Sequence, residues 1–343
     1  MKAAVLSSAL NLSLMDVQDI SEPREDEVQV ALKSVGVCGS DVHFYKHGRI
    51  GNVVVNAPMV LGHEASGEVI KIGDKVTHLK VGDRVCMEPG IPDFHSKETL
   101  AGCYNLDPSV RFWATPPIDG CLAEKVNHPA ALCFKLPDNV SFDEGAFIEP
   151  LAIGLHAATE AHVKPGDTAL VLGAGTIGIV TAIAALNAGC AKVILSDLFD
   201  EKLAVAQQFD GIVTLNPSRV DMAEFVKQQT YGNGVDIIFD CCGVEAALDI
   251  ALPLTCAQAT VMLIGCPMDK LAIDIVHAQT KELTFKTIYR YRNMYPKAIS
   301  LLAAKKFDVN TLIGTKFSFE RCVEAFEYAA SSDNKDVKVM INV

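Results

Sequence analysis

The sequence has few basic residues for its length. Lys and Arg number 30 against 42 for Asp and Glu in 343 residues, which gives a formal net charge of −12. A surface with this balance repels a phosphate backbone, so the composition argues against nucleic-acid binding. No apolar run reaches the roughly 18 residues of a transmembrane helix, so we expect no membrane partner. The start, MKAAVLSSALNLSLMDV, is interrupted by Asn11 and Asp16 and indicates a strand and turn rather than a signal peptide.

Cysteine is too sparse for a disulfide framework. The 11 residues are an odd number, scattered from Cys38 to Cys322, whereas a secreted disulfide-bonded protein is shorter and richer in Cys. We therefore expect a reducing, cytoplasmic setting in which most cysteines are small buried hydrophobic residues. Any exception would be a metal ligand or a reactive thiol.

Length and apolar content predict a globular chain of two domains. Half of the residues are hydrophobic and 21% are charged, enough for a sizeable core, and domains typically have about 100–200 residues. The first 150 residues show short alternating strands, such as DEVQVALKSVGV, between turns that contain Gly or Pro. This pattern predicts a β-rich, barrel-like or sandwich-like unit.

The pattern changes after Pro150, where apolar strands alternate with helical stretches. The strands read TALVLG, AKVILSD, VDIIFDCCG and ATVMLIG. This alternation predicts a doubly wound parallel sheet with helices on both faces, so the fold class is α/β. The remaining sequence predicts one more strand (LTFKTIYRY), two helices (PKAISLLAAKKF and ERCVEAFEYAA) and a final strand (KDVKVMINV).

A glycine turn follows the first of these strands. Gly173, Gly175 and Gly178 lie in G-x-G-x-x-G register between an apolar strand and an apolar helix. The first glycine permits the tight turn, the second lets a pyrophosphate approach the backbone, and the third lets the helix pack on the strand. The alternative is a strand–helix–strand unit that binds no nucleotide.

An acidic residue stands where a dinucleotide-binding unit requires one. Asp197 closes the strand VILSD, about 20 residues beyond Gly178. Its carboxylate can accept hydrogen bonds from the adenosine ribose and would repel a 2′-phosphate. The sequence therefore favours NAD over NADP.

Four residues form a plausible zinc ligand set. Cys38 lies in GVCGSDVHFY, His63 and Glu64 in LGHEASG, and Glu149 in AFIEP. A thiolate, an imidazole and carboxylates can hold zinc with one position open for water or substrate. Because Cys38, the His63–Glu64 pair and Glu149 are far apart in sequence, the spacing does not prove the set. Cys38 could be a core thiol, His63 a turn residue and Glu149 a charge leading into a helix.

The chain resembles the zinc-dependent medium-chain alcohol dehydrogenases over essentially its whole length, and within them the polyol branch of sorbitol, xylitol and L-iditol dehydrogenases. The segments that carry the resemblance are GVCGSDVHFY, PMVLGHEASGEV, VGDRVCMEPG, FWATPPIDG, EGAFIEPLAIGLHA, VLGAGTIG and IYRYRNMYP. The resemblance implies a β-rich catalytic domain, residues 1–150 completed by 288–343. It also implies an NAD-binding Rossmann domain, residues 151–287.

The resemblance also implies roles for individual residues. It implies zinc held by Cys38, His63 and Glu64, with Glu149 beside the metal, directly or through its water. Ser40 would lie near the substrate hydroxyl and pass its proton on through His43 or the ribose hydroxyls, unless His43 only packs nearby. The expected polyol contacts are Tyr45, Glu149, Arg290 and Tyr291. Asp197 and Lys202 would contact the adenosine ribose, and the expected lining of the NAD cleft is Ile177, Ile264, Cys266, Ile288 and Arg290.

The implied activity is oxidation of a secondary hydroxyl of a polyol to a ketose, with one catalytic zinc and NAD. A different sugar alcohol or a sugar acid, such as galactitol or L-idonate, is the alternative substrate. The chain could instead be a zinc-free reductase of the same superfamily or a non-catalytic NAD-binding regulator, but the presence of all four candidate zinc-site residues argues against both. We also expect a homo-oligomer, either a dimer or a tetramer.

One loop departs from the family pattern. Many relatives hold a second, structural zinc with four Cys, and the corresponding positions here are Asp93, Ser96, Thr99 and Asp107. A closed structural zinc site requires thiolates or imidazoles. We therefore expect one zinc per chain and a loop held by packing and hydrogen bonds.

Overall fold

The computed structural model describes residues 1–267, 270–332 and 334–343. The chain forms two compact units: the first contains Met1–Glu149 and Tyr295–Val343, and the second contains Pro150–Met294. The return to the first unit thus comes at Tyr295, a few residues later than the expected position 288. No helix among the described residues is both long and apolar enough to cross a bilayer.

Short strands dominate the first unit, as the turn spacing predicts. Its strands before residue 150 are β1 (Lys2–Ser8), β2 (Asn11–Asp16), β3 (Glu27–Val37), β4 (Arg49–Ile50), β5 (Val53–Val54), β6 (Met59–Val60), β7 (Glu64–Ile72), β8 (Arg84–Met87), β9 (Gly90–Ile91), β10 (Arg111–Phe112), β11 (Lys125–Pro129) and β12 (Cys133–Lys135). Its helices there are α1 (Gly39–His47), α2 (Lys97–Leu100) and α3 (Phe142–Ala146).

Strands and helices alternate from residue 148 to residue 287. They are α4 (Ile148–Glu160), β13 (Thr168–Leu172), α5 (Thr176–Ala188), β14 (Lys192–Ser196), α6 (Asp200–Ala206), β15 (Ile212–Leu215), α7 (Met222–Gln229), β16 (Val235–Asp240), α8 (Glu245–Ala251), β17 (Thr255–Leu263), α9 (Ile275–Lys281) and β18 (Thr284–Thr287). The rest of the described chain contains α10 (Tyr295–Ala303), β19 (Ile313–Ser318), α11 (Cys322–Ala330) and β20 (Lys338–Asn342). The α/β fold class is confirmed.

The main sheet of the first unit has the order β12-β8-β7-β3-β20-β19, and β11 also pairs with β3. Strand β3 lies centrally because its apolar side chains are buried; Val30 and Leu32 are at most 2% exposed. Residue Gly36 of β3 pairs with Glu64 of β7 on one side and with Met340 of β20 on the other. Three strands that are distant in sequence therefore meet where β3 ends.

The second unit is built on a six-stranded parallel sheet with the order β15-β14-β13-β16-β17-β18. The middles of its central strands are buried, with Leu170, Ile194, Ile238 and Val261 all 0% exposed. The continuous apolar runs in the sequence reflect this burial on both faces. All six carboxyl ends meet at one edge, where a doubly wound sheet binds its ligands.

The strand predicted from LTFKTIYRY is shorter than expected. Only Thr284–Thr287 pair with β17. Beyond them Arg290 and Asn293 adopt φ angles of 55° and 57°, which are left-handed and incompatible with an extended strand. The YRYRN stretch is therefore a loop, and the prediction of a strand to residue 291 was wrong.

Candidate functional site

Cys38 lies between the end of β3 and the start of α1. Its backbone is extended, with φ −86° and ψ 150°, and it occupies the cap position of the helix. A helix N-terminus favours negative charge, so this position suits a thiolate. Ser40, in the first turn of α1, donates a hydrogen bond from Oγ to Cys38 Sγ at 3.3 Å.

His63 is buried and backed by a carboxylate. It follows Gly62, whose φ of 89° favours glycine, and its Nδ1 lies 3.3 Å from Oδ2 of the fully buried Asp41. Burial alone would lower the pKa of His63, but Asp41 and Cys38 outweigh it and hold that pKa well above its usual value. The surroundings of the ring therefore favour positive charge, as a metal site does, and Asp41 can fix its tautomer.

Glu64 is held by Lys338, which is 274 residues away in sequence. Lys338 Nζ donates to both carboxylate oxygens of Glu64, at 2.7 and 2.8 Å, and to the backbone oxygen of Val37 at 3.2 Å. Glu64 and Lys338 are only 1% and 3% exposed. Although burial opposes the charge of Lys338, Glu64 and Cys38 raise its pKa.

Gly36 makes this ion pair possible. It lies on β3, between the strands that carry Glu64 and Lys338. A Cβ atom at Gly36 would overlap Oε2 of Glu64. The missing side chain therefore leaves the space in which the carboxylate lies.

Cys38, His63 and Glu64 come together. Each offers one ligand atom, and these atoms lie within 4.8 Å of one another. Sulfur, nitrogen and oxygen donors of these types are those that zinc takes in proteins. The donor set and the acidic groups around His63 both fit a bound zinc ion, to which the imidazole would bind in its neutral form.

Glu149 is in the first turn of α4 and 6% exposed. Its charge raises the pKa of both Lys338 and Glu88. Glu88 follows β8, and burial, assisted by Glu149, raises its pKa to about 7, although a hydrogen bond from the Tyr104 hydroxyl (2.7 Å) opposes the shift. Glu149 thus belongs to a group of buried carboxylates.

The first helix also carries His43 and Tyr45. His43 is exposed, with its ring 5.8 Å from that of His47, and partial burial together with His47 and Lys46 lowers its pKa. Tyr45 is 5% exposed and packs 5.9 Å from the ring of Phe326. Helix α1 therefore carries Ser40, His43 and Tyr45.

The glycine turn joins β13 to α5 and has the geometry that its pattern predicts. Gly173 has φ 98°, and a Cβ on Gly178 would overlap the backbone oxygen of Gly173. A Cβ on Gly175 would meet no described atom within 4 Å, so space remains there for a phosphate. Ile177 is half-buried in the first turn of α5.

Asp197 contacts this turn directly. Its Oδ2 accepts a hydrogen bond from Ala174 N at 2.6 Å, and its Oδ1 accepts one from Phe199 N at 2.9 Å. Lys202 Nζ lies 5.2 Å from the centre of the Phe199 ring. The remaining expected cofactor residues follow β17 and β18, at the same edge of the sheet: Ile264, Cys266, Ile288 and Arg290.

The two expected substrate residues of the second unit are neighbours in the loop after β18. Arg290 is half-buried, and its guanidinium lies 4.9 Å from the centre of the Tyr289 ring. Tyr291 is 2% exposed.

The 93–107 loop is organised around Asp107. Its carboxylate accepts hydrogen bonds from Asp93 N at 2.6 Å, from Ser109 N at 2.9 Å and from Ser109 Oγ at 2.8 Å. Ser96 Oγ caps α2 by accepting a bond from Thr99 N at 3.2 Å and also bonds to Thr99 Oγ1 at 2.9 Å. Hydrogen bonds thus join Asp93 to Asp107 and Ser96 to Thr99, the four positions in this loop at which we expect no metal.

Sequence reasoning missed Asp41, Lys338, Gly36 and Glu88. Asp41 could have been suspected, because an acidic residue near a candidate histidine ligand often orients it. Glu88 directly follows a buried strand, which is a weak signal. Lys338 and Gly36 have no recognisable sequence signal, because their proximity to Glu64 depends on the order of strands in the sheet.

Comparisons with known proteins add independent findings. Residues 24–138 match the family model described as the alcohol dehydrogenase GroES-like domain, and residues 176–304 match the zinc-binding dehydrogenase model. The chain is 53% identical over 331 residues to the D-xylulose reductase of Morganella morganii, with 96% of this chain and 98% of that protein covered. It is 43% identical over 324 residues to the sorbitol dehydrogenase of Bos taurus, with 94% and 90% covered.

A solved structure from Sinorhizobium meliloti also resembles the chain. It is described as a candidate zinc-binding dehydrogenase bound to NADP. Its TM-score is 0.91 at 29% sequence identity, with 100% of this chain and 99% of that chain covered.

Proposed function

The chain belongs to the polyol branch of the zinc-dependent medium-chain alcohol dehydrogenases and is a polyol dehydrogenase, and on this premise we propose that it oxidises a secondary hydroxyl of a linear polyol, of the xylitol or sorbitol type, to a ketose with NAD. The observation that carries the proposal is the meeting of Cys38, His63 and Glu64 donor atoms within 4.8 Å. The enzyme uses zinc and a nicotinamide cofactor.

Cys38, His63 and Glu64 would hold the zinc, with Glu149 beside it. Bound zinc supplies Lewis acidity that makes a hydroxyl group easier to deprotonate, and the bound nicotinamide accepts the hydride. Asp41 faces Nδ1 of His63 and so leaves Nε2 for the metal. Lys338 balances the charge of Glu64.

Ser40 would take the proton from the substrate hydroxyl. Its Oγ already forms a hydrogen bond with Cys38 Sγ, which holds the hydroxyl beside the metal ligands. His43 or the cofactor ribose would carry the proton onward. The lowered pKa of His43 keeps its ring neutral at pH 7 and able to accept a proton.

Tyr45, Glu149, Arg290 and Tyr291 would bind the other hydroxyls of the polyol. A substrate without matching hydroxyls leaves such groups unpaired, at roughly 1–3 kcal/mol each. Two of them give about a hundredfold preference for a polyol over a simple alcohol. An aldonate could also use Arg290 through its carboxylate, so a substrate panel must include sugar acids such as L-idonate as well as xylitol, sorbitol, L-iditol and galactitol.

The decisive experiment compares xylitol with 2-butanol on the unmodified enzyme and on Arg290→Ala. We expect the variant to lose far more kcat/KM for xylitol than for 2-butanol. Equal losses would mean that Arg290 acts on the cofactor or the fold. A preference of the unmodified enzyme for 2-butanol would contradict the polyol assignment.

The choice of NAD depends on Asp197, whose carboxylate lies at the glycine turn. Asp197→Ser removes the charge that repels a 2′-phosphate and should weaken discrimination against NADP. Initial rates with each cofactor test this. Equal use of both by the unmodified enzyme would contradict the assignment.

One zinc per chain is the proposed stoichiometry, because the described residues contain one candidate ligand set and the 93–107 loop has no Cys at the four positions that the family resemblance assigns to a second zinc. Metal analysis of the isolated protein should give a ratio close to one. Two zinc ions per chain would contradict our interpretation of the 93–107 loop.

We place the enzyme in the reducing cytoplasm, as a dimer or tetramer of identical chains. All eleven cysteines are free thiols, which suits a reducing compartment. Light scattering of the purified protein gives the assembly, and a monomer would contradict this part of the proposal.

A further inference from the structure

The last residue of α4, Glu160, contacts the 286–292 segment at two points. Lys286 Nζ donates to its backbone oxygen at 2.7 Å, and Arg292 Nη2 donates to its carboxylate at 2.7 Å. These two residues stand on either side of Arg290 and Tyr291. One residue of α4 thus holds both flanks of the loop that carries the proposed substrate contacts.

A carboxylate is poorly suited to this position by itself. The C-terminus of a helix carries partial negative charge and unpaired carbonyl groups. The ammonium of Lys286 suits it, whereas the acidic side chain of Glu160 is favourable there only with a cation beside it, and Arg292 supplies that cation. His156, four residues earlier, has Nδ1 3.9 Å from the same carboxylate. A carboxylate at a helix C-terminus is locally unfavourable, and here a cation from one particular loop compensates it. Such a departure from the local rule points to a role for that loop.

The sheet supports this segment only as far as Ile288. Strand β18 ends at Thr287, and Ile288 N makes a long backbone bond to Leu263 O at 3.4 Å. Arg290 and Asn293 then adopt left-handed backbone conformations. Residues other than glycine hold such conformations when surrounding contacts fix them.

We propose that Glu160 is a positioning residue that fixes the loop bearing Arg290 and Tyr291 and thereby determines the preference for polyhydroxylated substrates. This rests on the function proposed above. Glu160 and Arg292 are half-buried, with side chains 32% and 26% exposed, so solvent screens their interaction less than that of a fully exposed pair. A displacement of about 1 Å in such a contact is enough to reduce catalysis markedly.

The test is Glu160→Gln, which keeps the shape and the backbone oxygen and removes the charge. At saturating NAD we expect kcat/KM for xylitol to fall by about five- to twentyfold, mainly through KM, and kcat/KM for 2-butanol to change by less than about twofold. The matched control is Glu324→Gln, which removes the carboxylate partner of Arg321 in an exposed pair (2.7 Å). It should leave both substrates unchanged.

Arg292 provides a second arm. Arg292→Gln should reproduce the effect of Glu160→Gln, and the double variant should lose little more, because both changes break one contact. Arg292→Lys should restore part of the preference. Equal losses for xylitol and 2-butanol, or additive losses in the double variant, would overturn the proposal.

Hydrogen–deuterium exchange keeps the proposal testable if the substrate assignment fails. The amides of residues 286–294 should exchange faster in Glu160→Gln than in Glu324→Gln. Unchanged exchange there would refute the positioning role. An unmodified enzyme that does not prefer xylitol to 2-butanol would instead refute the polyol assignment while leaving the exchange result valid.

Discussion

Two regions of the first unit, the surroundings of Cys38 and His63 and the 93–107 loop, are both stabilised by polar groups, but the types of interaction differ. Around Cys38 and His63, buried charges face other buried charges. Around Asp107 in the 93–107 loop, a carboxylate accepts hydrogen bonds from neighbouring N–H and O–H groups. Removing ions from water is expensive unless a partner compensates each one. The first region brings the candidate ligand atoms of Cys38, His63 and Glu64 within 4.8 Å of one another, whereas the second is held by hydrogen bonds to one carboxylate.

The largest effect is expected for Cys38→Ala, which removes the sulfur donor of the first region. Zinc content and turnover should be lost, while NAD binding is retained because the glycine turn belongs to the second unit. Metal analysis, steady-state rates and an NADH fluorescence titration test this. Normal turnover of Cys38→Ala would mean that Cys38 is an ordinary core thiol. The region around Cys38 would then differ from the 93–107 loop in no way that matters for catalysis.

Lys338→Met should have the next largest effect. It leaves the buried Glu64 carboxylate without its partner, which costs on the order of 3–5 kcal/mol of unfolding free energy. Added zinc should recover part of this loss, because the metal can compensate the same charge. Urea unfolding with and without zinc measures both, and Lys338→Arg, which keeps the charge, is the control.

Unchanged stability of Lys338→Met in zinc-free buffer would show that the ion pair does not hold this region together. The pair of Asp41 and His63 would then be the remaining example of buried facing charges with which the 93–107 loop is compared.

Gly36→Ala tests whether the Glu64 carboxylate needs the space beside Gly36, and it leaves the charge of Lys338 unchanged. The new Cβ would displace the Glu64 carboxylate, and changes of this kind beside ligands typically weaken metal binding by about 10–100-fold. Competition with a chelator measures the zinc affinity. Gly39→Ala is the matched control, because a Cβ there meets no described atom within 4 Å; equal affinities of the two variants would contradict the prediction.

The smallest effect is expected for Asp107→Asn in the loop. Its melting temperature should fall by a few degrees at neutral pH, with zinc content unchanged. Hydrogen bonds, led by that of Ser109 N, hold the pKa of Asp107 below its usual 3.8. The ionised carboxylate therefore contributes stability above about pH 4, which is lost as the pH falls through the folded pKa.

Thermal unfolding from about pH 6 to pH 3 should thus show the two proteins converging as the solution becomes more acidic. A constant difference across this range would mean that the loop does not depend on the charge of Asp107.

The sequence predicted those parts of the molecule that depend on neighbours along the chain. The turn at Gly173, Gly175 and Gly178 was predictable because the whole pattern lies within six residues. The position of Asp197 was predictable because the acidic residue is expected at the end of the next strand. Cys38 and His63 were candidate ligands by chemical type, and the family resemblance singled them out. Four strands of the second sheet, β13, β14, β16 and β17, followed from the alternation of apolar runs, whereas β15 was not predicted and β18 ends earlier than expected.

The features that the sequence did not predict depend on contacts between segments that are distant along the chain. Lys338 became a partner of Glu64 because β20 and β7 flank β3, and no local pattern records that order. The early end of β18 depends on the left-handed backbone at Arg290, a residue type that normally avoids it. The contacts of Glu160 likewise join a helix end to a loop more than 120 residues later.

The place of β20 in the main sheet has a consequence for synthesis of the protein. The ribosome makes Cys38, His63 and Glu64 early, but Lys338 follows Glu64 by 274 residues. A nascent chain therefore carries three potential metal donors long before the counter-ion that stabilises one of them exists. The buried Glu64–Lys338 ion pair forms only after β20 has emerged and inserted beside β3, so Glu64 lacks its buried counter-ion in an interrupted chain.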